Sequence, residues 1–298
     1  MHLTEIFSTQ QPAVSFEFFP PKTDEAADRL FEAVTEHFVP LRPSFITVTY
    51  GAGGTTRKRT RDLVLRLHRE TAITTVPHLT CVAADRDEIA AILQSYLDAG
   101  IENILALRGD PPADQPGFQP PEGGFRYANE LVEFIKKDFP TLTIAVAGYP
   151  EGHGETPNQL TDLDNLKRKV DAGADAIITQ LFFDNRDFYD FRERCELVGI
   201  TVPISAGLMP IRTAKGIKRM AGMSGARLPA ALLRSLKRAG DDPEAIKHVG
   251  AHWASEQCRD LIDHKAAGIH LFTLNNSAAT RRIYESLGIK STETLHSE

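Results

Sequence analysis

One carboxylate lies inside the apolar run Val14-Ser15-Phe16-Glu17-Phe18-Phe19, which Pro20-Pro21 ends. Side chains alternate along an extended strand, so Ser15, Glu17 and Phe19 share one face and Val14, Phe16 and Phe18 the other. A buried charge is costly unless it is paired. Burial raises a carboxyl pKa, which would keep Glu17 protonated near neutrality and make it a general acid. The alternative reading is a buried ion pair with an Arg or Lys.

Other polar groups stand where apolar runs stop. Leu105-Ala106-Leu107-Arg108-Gly109-Asp110-Pro111 puts a cation and an anion on either side of a glycine that lets a ligand approach the backbone. That pair would flank an anionic cofactor and its reactive ring, or simply organise the loop. Ile177-Ile178-Thr179-Gln180 ends in an amide, which offers a donor and an acceptor to a heterocycle. His78 and His153 lie near the ends of their runs, whereas His270 lies at the opposite end of its own. No HxH or HExxH spacing occurs, so no metal centre is expected. In Lys167-Arg168-Lys169 one long cation is able to reach a phosphate, although such runs mostly solvate a helix face. Gly51-Ala52-Gly53-Gly54-Thr55-Thr56 has the look of a phosphate loop but lacks the Lys-Ser/Thr that follows in the Walker pattern, and reads as a strand-to-helix turn.

These groups have to be positioned by regular elements. Strand-like runs fall at about 13–19, 44–50, 75–82, 102–108, 142–148, 175–181, 202–207 and 269–274, with helix-period segments near 24–38, 57–70, 85–99, 125–138, 158–172, 186–198, 213–221, 244–266 and 277–287. A strict βα alternation requires a mostly parallel sheet. Eight repeats at a spacing of roughly thirty residues fit a closed (β/α)8 TIM barrel with extra helices near its C-terminal part. We therefore expect one domain over 1–298, with a helical insertion to about 239 and a turn at Gly240-Asp241-Asp242-Pro243. In such a barrel catalytic groups cluster at the C-terminal ends of the strands, where the Pro/Gly-rich stretch from Gly109 to Gly124 reads as a mobile lid.

Composition excludes several classes. Hydrophobic residues are 42% and charged residues 25%, enough for a sizeable core and unlike a disordered chain. With 34 Lys+Arg against 40 Asp+Glu the net charge is -6, which gives no basic field for nucleic acid or an anionic membrane. A small-molecule partner is favoured. The N-terminus lacks a secretory pattern and no apolar stretch approaches the roughly 18 residues of a membrane span, so a cytoplasmic protein is expected. Cys81, Cys195 and Cys258 are widely spaced and read as reduced packing residues.

Seven segments carry a family resemblance. They are Ser15-Phe16-Glu17-Phe18-Phe19-Pro20-Pro21-Lys22, Val48-Thr49-Tyr50-Gly51-Ala52, Pro77-His78-Leu79-Thr80-Cys81, Ala106-Leu107-Arg108-Gly109-Asp110, Ala147-Gly148-Tyr149-Pro150-Glu151, the stretch from Asn165 to Ala174, and Ile178-Thr179-Gln180-Leu181-Phe182-Phe183-Asp184. In this order and register the chain resembles the methylenetetrahydrofolate reductases of the short bacterial type over nearly its whole length.

The resemblance implies a flavin barrel that reduces 5,10-methylenetetrahydrofolate to 5-methyltetrahydrofolate, the methyl donor for methionine synthesis. Glu17 would be the general acid that protonates folate N10, Asp110 would stabilise the positive charge that develops beside the flavin, and Gln180 would bond the pterin. FAD would be held by Thr49, His78, Arg108, Gly109, Asp110, Tyr127, Ala128, Tyr149, His153, Asp162 and Lys169. NADH or NADPH would reduce the flavin in ping-pong alternation with folate, and a homo-oligomer would be compatible with the family. The sequence departs from the family pattern at two places. Ala214 stands where a phenylalanine would stack on both substrates, and Asn276 where an arginine would meet the folate glutamate tail. A protein electron donor, a flavin-free reductase and a non-redox pterin-binding methyltransferase-like barrel are the competing readings.

Overall fold

A computed structural model describes residues 1–50, 57–110 and 118–296 of the chain. Eight parallel strands close into a barrel in sequence order: β1 (Ala13–Phe18), β2 (Phe45–Val48), β3 (Thr75–Thr80), β4 (Asn103–Leu107), β5 (Thr143–Gly148), β6 (Ala176–Thr179), β7 (Ile204–Leu208) and β8 (Gly268–Phe272). The last strand pairs with the first, Ser15 opposite His270 and Glu17 opposite Phe272. The expected (β/α)8 TIM barrel is therefore the observed one. Among the described residues no helix is long and apolar enough to cross a membrane.

Alternation along the strands separates two apolar compartments. Phe16 and Phe18 face outward and meet the Phe38 ring edge-on at 5.5 and 4.9 Å. Burying an aromatic side chain of this size contributes about 1.5–3 kcal/mol, so this pair clamps the outer helical layer onto β1. The clamp explains why the helix expected over 24–38 is not uniform. It runs as α2 (Asp24–Ala33), then widens into a π-helical turn (Val34–Phe38) closed by Val39 N–H to Val34 O. The extra residue in that turn lets Val34 and Phe38 both be fully buried.

The inner compartment is floored by an element that the sequence pattern did not reveal. Helix α1 (Leu3–Thr9) buries Leu3, Ile6 and Phe7 against Ala13, Phe45, Val76, Leu105, Ala145 and Ala176 inside the barrel. Leu3 N–H donates to Asn103 Oδ1 at 2.8 Å, and Asn103 Nδ2 donates back to Met1 O at 3.0 Å, so a side chain of β4 satisfies the orphan groups at the helix start.

The remaining helices are α3 (Arg57–Thr71), α4 (Arg86–Leu97), α5 (Ala128–Asp138), α6 (Gln159–Asp171), α7 (Asn185–Leu197), α8 (Ala214–Ser224), α9 (Ala230–Ala239), α10 (Pro243–Asp263) and α11 (Ser277–Leu287). Helix α9 is the expected insertion, and it shares with α8 and α10 a core of Met209, Ile211, Ile217, Leu232 and Ile246. Cys81, Cys195 and Cys258 are free and buried, and burial pushes each thiol up to about 12, as expected of packing residues. The turn read at 51–56 and the middle of the proposed lid, 111–117, lie outside the described residues.

Candidate active site

Glu17 is 5% exposed and faces the barrel interior above the apolar floor. Register and alternation put Thr47, His78 and His270 on the same interior wall. His270 Nε2 lies 3.4 Å from Glu17 Oε2, and the other ring nitrogen, Nδ1, shares a 2.8 Å hydrogen bond with Ser15 Oγ. His78 Nε2 is 3.4 Å from the same carboxylate oxygen, but no hydrogen bond to that nitrogen is formed. The backbone is fixed as well: Thr273 Oγ1 donates to Glu17 O at 2.6 Å.

This geometry corrects three expectations. The Glu17 carboxyl is not raised but lowered to about 2, because burial, which raises it, is outweighed by the His270 hydrogen bond and by the closely placed His78 and His270 imidazoles. The partners are histidines rather than the Arg or Lys of the ion-pair reading. His270, expected away from the functional rim, belongs to the Glu17 cluster, since its side chain enters the barrel one register step below Glu17. The alternation in Gly268-Ile269-His270-Leu271-Phe272 held that information, as did the shared face of Ser15 and Glu17.

A second group of side chains gathers at the mouth beyond β4, β5 and α6. Arg108 NH1 pairs with Glu155 Oε2 at 2.7 Å, a partner that sequence reasoning missed because it comes from the loop after β5. Tyr149 meets the His153 ring edge-on at 4.6 Å. Lys169 Nζ donates to Ala147 O at 2.5 Å and lies 5.9 Å from the Tyr149 ring centre. Burial drives the Lys169 amine down to about 8, with Asp162 opposing it. Asp162 is itself raised, by burial first, against the charges of Lys169 and His153. Tyr149 is pushed up to about 12 by burial and then by the negative charges of Asp162 and Asp110. Lys169 is thus separated from the solvated Lys167 and Arg168, which pair with Asp171 and Asp164 on the helix surface.

Gly109 shapes the backbone between these groups. Its φ is +81°, and a Cβ there would come within 2.7 Å of Val82 Cγ1 and 2.8 Å of Thr80 Cβ, so only glycine fits. Asp110 follows as an exposed side chain whose charge acts on Arg108 and Tyr149. Arg108, Gly109, Phe118, Phe125 and Tyr127 border a cleft of about 270 Å³. Tyr127, 58% exposed, precedes α5, whose first residue is Ala128. Thr49 is tied by its N–H to Phe18 O at 2.9 Å, above Glu17.

Gln180 reaches the mouth from β6. Its Oε1 accepts Leu181 N–H at 2.9 Å, which leaves the amide nitrogen to donate elsewhere. Gly207 on β7 makes room beside it, since a Cβ would lie 2.3 Å from Thr179 O and 2.9 Å from the Phe272 ring. Ala214 and Asn276 are not brought to Glu17. Ala214 opens α8, and Asn276 caps α11 at the edge of a separate cavity of about 130 Å³ that Arg212, Lys247 and Arg282 also line.

Several features of this mouth suit a flavin. Among the described residues His78 Nε2 and Thr80 Oγ1 are buried and find no hydrogen-bond partner, as groups awaiting a heterocycle would. Lys169 and Arg108 offer cations to a diphosphate, and Gly109 brings backbone close to the cleft.

Known proteins are similar to this chain. A family model described as methylenetetrahydrofolate reductase matches residues 2–288. The chain is 41% identical over 289 residues to "Methylenetetrahydrofolate reductase (NADH) 1" of Arabidopsis thaliana, with 94% of the chain aligned to 49% of that protein, so it spans about half the length of the plant relatives it matches. It is 40% identical to "5,10-methylenetetrahydrofolate reductase" of Escherichia coli, covering 93% of the chain and 91% of that enzyme. Among solved structures, a Clostridium thermocellum protein described as binding two copies of 5-methyl-5,6,7,8-tetrahydrofolic acid superposes with a TM-score of 0.67 at 15% identity, over 96% of this chain and 97% of that one, which is a likeness of fold.

Proposed function

The chain belongs to the methylenetetrahydrofolate reductase family, and from that premise we propose that it reduces 5,10-methylenetetrahydrofolate to 5-methyltetrahydrofolate in the cytoplasm. The barrel, 1–298, acts as one domain that takes FAD as hydride carrier and a reduced pyridine nucleotide as electron donor. The observation that carries this reading is Glu17, a carboxylate buried at the base of the mouth beside two imidazoles. A barrel that merely bound folate would gain nothing from that costly group.

FAD, when bound, supplies hydride to the folate. Lys169 and Arg108 would hold its diphosphate, Tyr149, His153 and Asp162 the nucleotide half, and Thr49, His78, Gly109, Tyr127 and Ala128 the remainder. The residues of this chain do the rest. Glu17 delivers a proton to N10, which opens the five-membered ring and leaves a cationic iminium at N5. Asp110, anionic and beside Arg108, favours that cation. The Gln180 amide nitrogen donates to the pterin and sets the folate so that its reacting carbon comes close to the hydride source. Pyridine nucleotide and folate take the same place in turn, so the kinetics are ping-pong.

The test is a visible spectrum of the purified protein, followed anaerobically while NADH, NADPH and then methylenetetrahydrofolate are added. A flavin band that bleaches with a nucleotide and returns with folate is expected. A flavin that only a protein donor reduces, or a protein that binds folate without flavin, overturns the donor or the cofactor assignment. In Glu17→Gln the folate step should slow by roughly 10²–10⁴-fold, the usual contribution of a general acid, while bleaching by the nucleotide stays near the wild-type rate. Equal loss of both steps removes Glu17 from this role.

A further inference from the structure

Glu17 poses a chemical problem that its surroundings also answer. A carboxylate held ionised cannot be an acid, and the barrel floor below it is apolar. The fully buried His270 is a store of a proton beside it: Nε2 faces Glu17 Oε2 at 3.4 Å, and Nδ1 rests on Ser15 Oγ at 2.8 Å. A serine hydroxyl both donates and accepts. It donates to Nδ1 of a neutral ring that carries its proton on Nε2, and accepts from Nδ1 once that nitrogen is protonated. Ser15 therefore satisfies this buried nitrogen in either charge state, which an aliphatic residue there would not do.

We propose that His270, seated on Ser15, is a positioning residue that holds the proton Glu17 passes to the substrate. This rests on the reductase reading above. Before the transfer the pair is imidazolium and carboxylate, with Nδ1–H on Ser15 Oγ and Nε2–H directed at Glu17. In the transfer the Nε2–H bond breaks and its proton joins a Glu17 oxygen, and that O–H bond then breaks as the same proton forms the N10–H bond. Glu17 ends as a carboxylate and His270 as a neutral ring that keeps Nδ1–H on Ser15. No electrons move in this step, and one proton from solvent restores the pair between turnovers. The groups facing Glu17 are Thr47 from β2, His78 from β3, and His270 from β8 with Phe272 beside it; the charges acting on Glu17 are those of the two histidines. Among the described residues the His78 nitrogen that faces Glu17 makes no hydrogen bond, whereas His270 bonds both Glu17 and Ser15.

His270→Gln tests this, because a glutamine amide still donates to Glu17 but carries no exchangeable acid proton. Two readouts are taken: the carboxylic-acid infrared band of Glu17 against pH, assigned by its loss in Glu17→Gln, and the pH profiles of the two half-reactions. In His270→Gln the Glu17 band should appear at a higher pH than in the wild type. The folate step should fall by on the order of tenfold, less than the roughly 10²–10⁴-fold for loss of the acid itself, with its pH profile displaced and nucleotide oxidation unchanged. Ser15→Ala should move both readouts the same way by less, and it carries the test if the glutamine variant does not fold. A Glu17 band and folate pH profile identical to wild type in both variants overturns the proposal. If the wild type reduces no folate but His270→Gln still moves the band, the proton coupling stands and the reductase reading is what fails.

Discussion

The carboxylate at position 17 shows how a residue's chemistry depends on its neighbours. Its burial alone would make it a weak acid, but two imidazoles reverse the sign. That reversal has a consequence for stability. The folded carboxyl is lowered to about 2 from an ordinary 4.5, so the unfolded chain binds the proton first as pH falls. The contribution of Glu17 is therefore complete above about pH 4.5 and is lost progressively towards pH 2. Denaturant titrations of wild type and Glu17→Gln at pH 5 and pH 3 should show a smaller loss of stability in the variant over that interval, and equal losses would contradict the ion pairing. The type and position of Glu17, Arg108, Gly109 and Asp110 were legible because each breaks the pattern of its own strand end. The protonation of Glu17 was not, because it depends on His78 and His270, which lie far from it in the sequence and meet it only when β8 closes on β1.

At the scale of elements, alternating apolar runs were enough to place all eight strands within two or three residues of where they form. Helix α1 went unread because its seven residues are too few to establish a 3.6-residue period, and its stability comes from tertiary burial. Its energetic weight exceeds its length. Phe7 is 4% exposed and sits edge-on to Phe45 at 6.0 Å. Phe7→Ala should cost about 3–5 kcal/mol, the usual range for a buried phenylalanine. A fall of less than about 1 kcal/mol in urea unfolding, the scale of an ordinary surface change, would show that the barrel does not depend on this floor. The π-helical turn was missed for a related reason, since the sequence marks only a helix and the outward faces of Phe16 and Phe18 decide where Phe38 must stand.

Over the whole molecule, stability and cofactor capacity pull against each other at Lys169. Its amine is lowered to about 8 from an ordinary 10.5, so at neutral pH the charged group destabilises the empty barrel, and that cost fades as pH rises from about 8 to 10.5. An anionic ligand would turn the same charge to advantage. Lys169→Met should leave the melting temperature of the empty protein unchanged or higher at pH 7, while the rise on adding FAD becomes smaller, since stabilisation follows RT ln(1 + [L]/Kd). A variant that melts lower when empty and responds to FAD like wild type would assign Lys169 a purely structural role.

The apolar floor also decides how the barrel communicates with solvent. Leu3, Ile6 and Phe7 stop the inner compartment from below, and the described wall between that floor and Glu17 is lined by side chains such as Phe45, Val76 and Leu105. Among the described residues the floor closes that end, and traffic goes by the mouth. Any occupant of the mouth is also its cork, and from that moment the Ser15, His270 and Glu17 cluster is a closed account of protons. Whatever isotope it carried when the doorway shut is the isotope it must spend, so the order in which the ligand and the last exchange with bulk water occur is written into the isotope effect on that proton transfer.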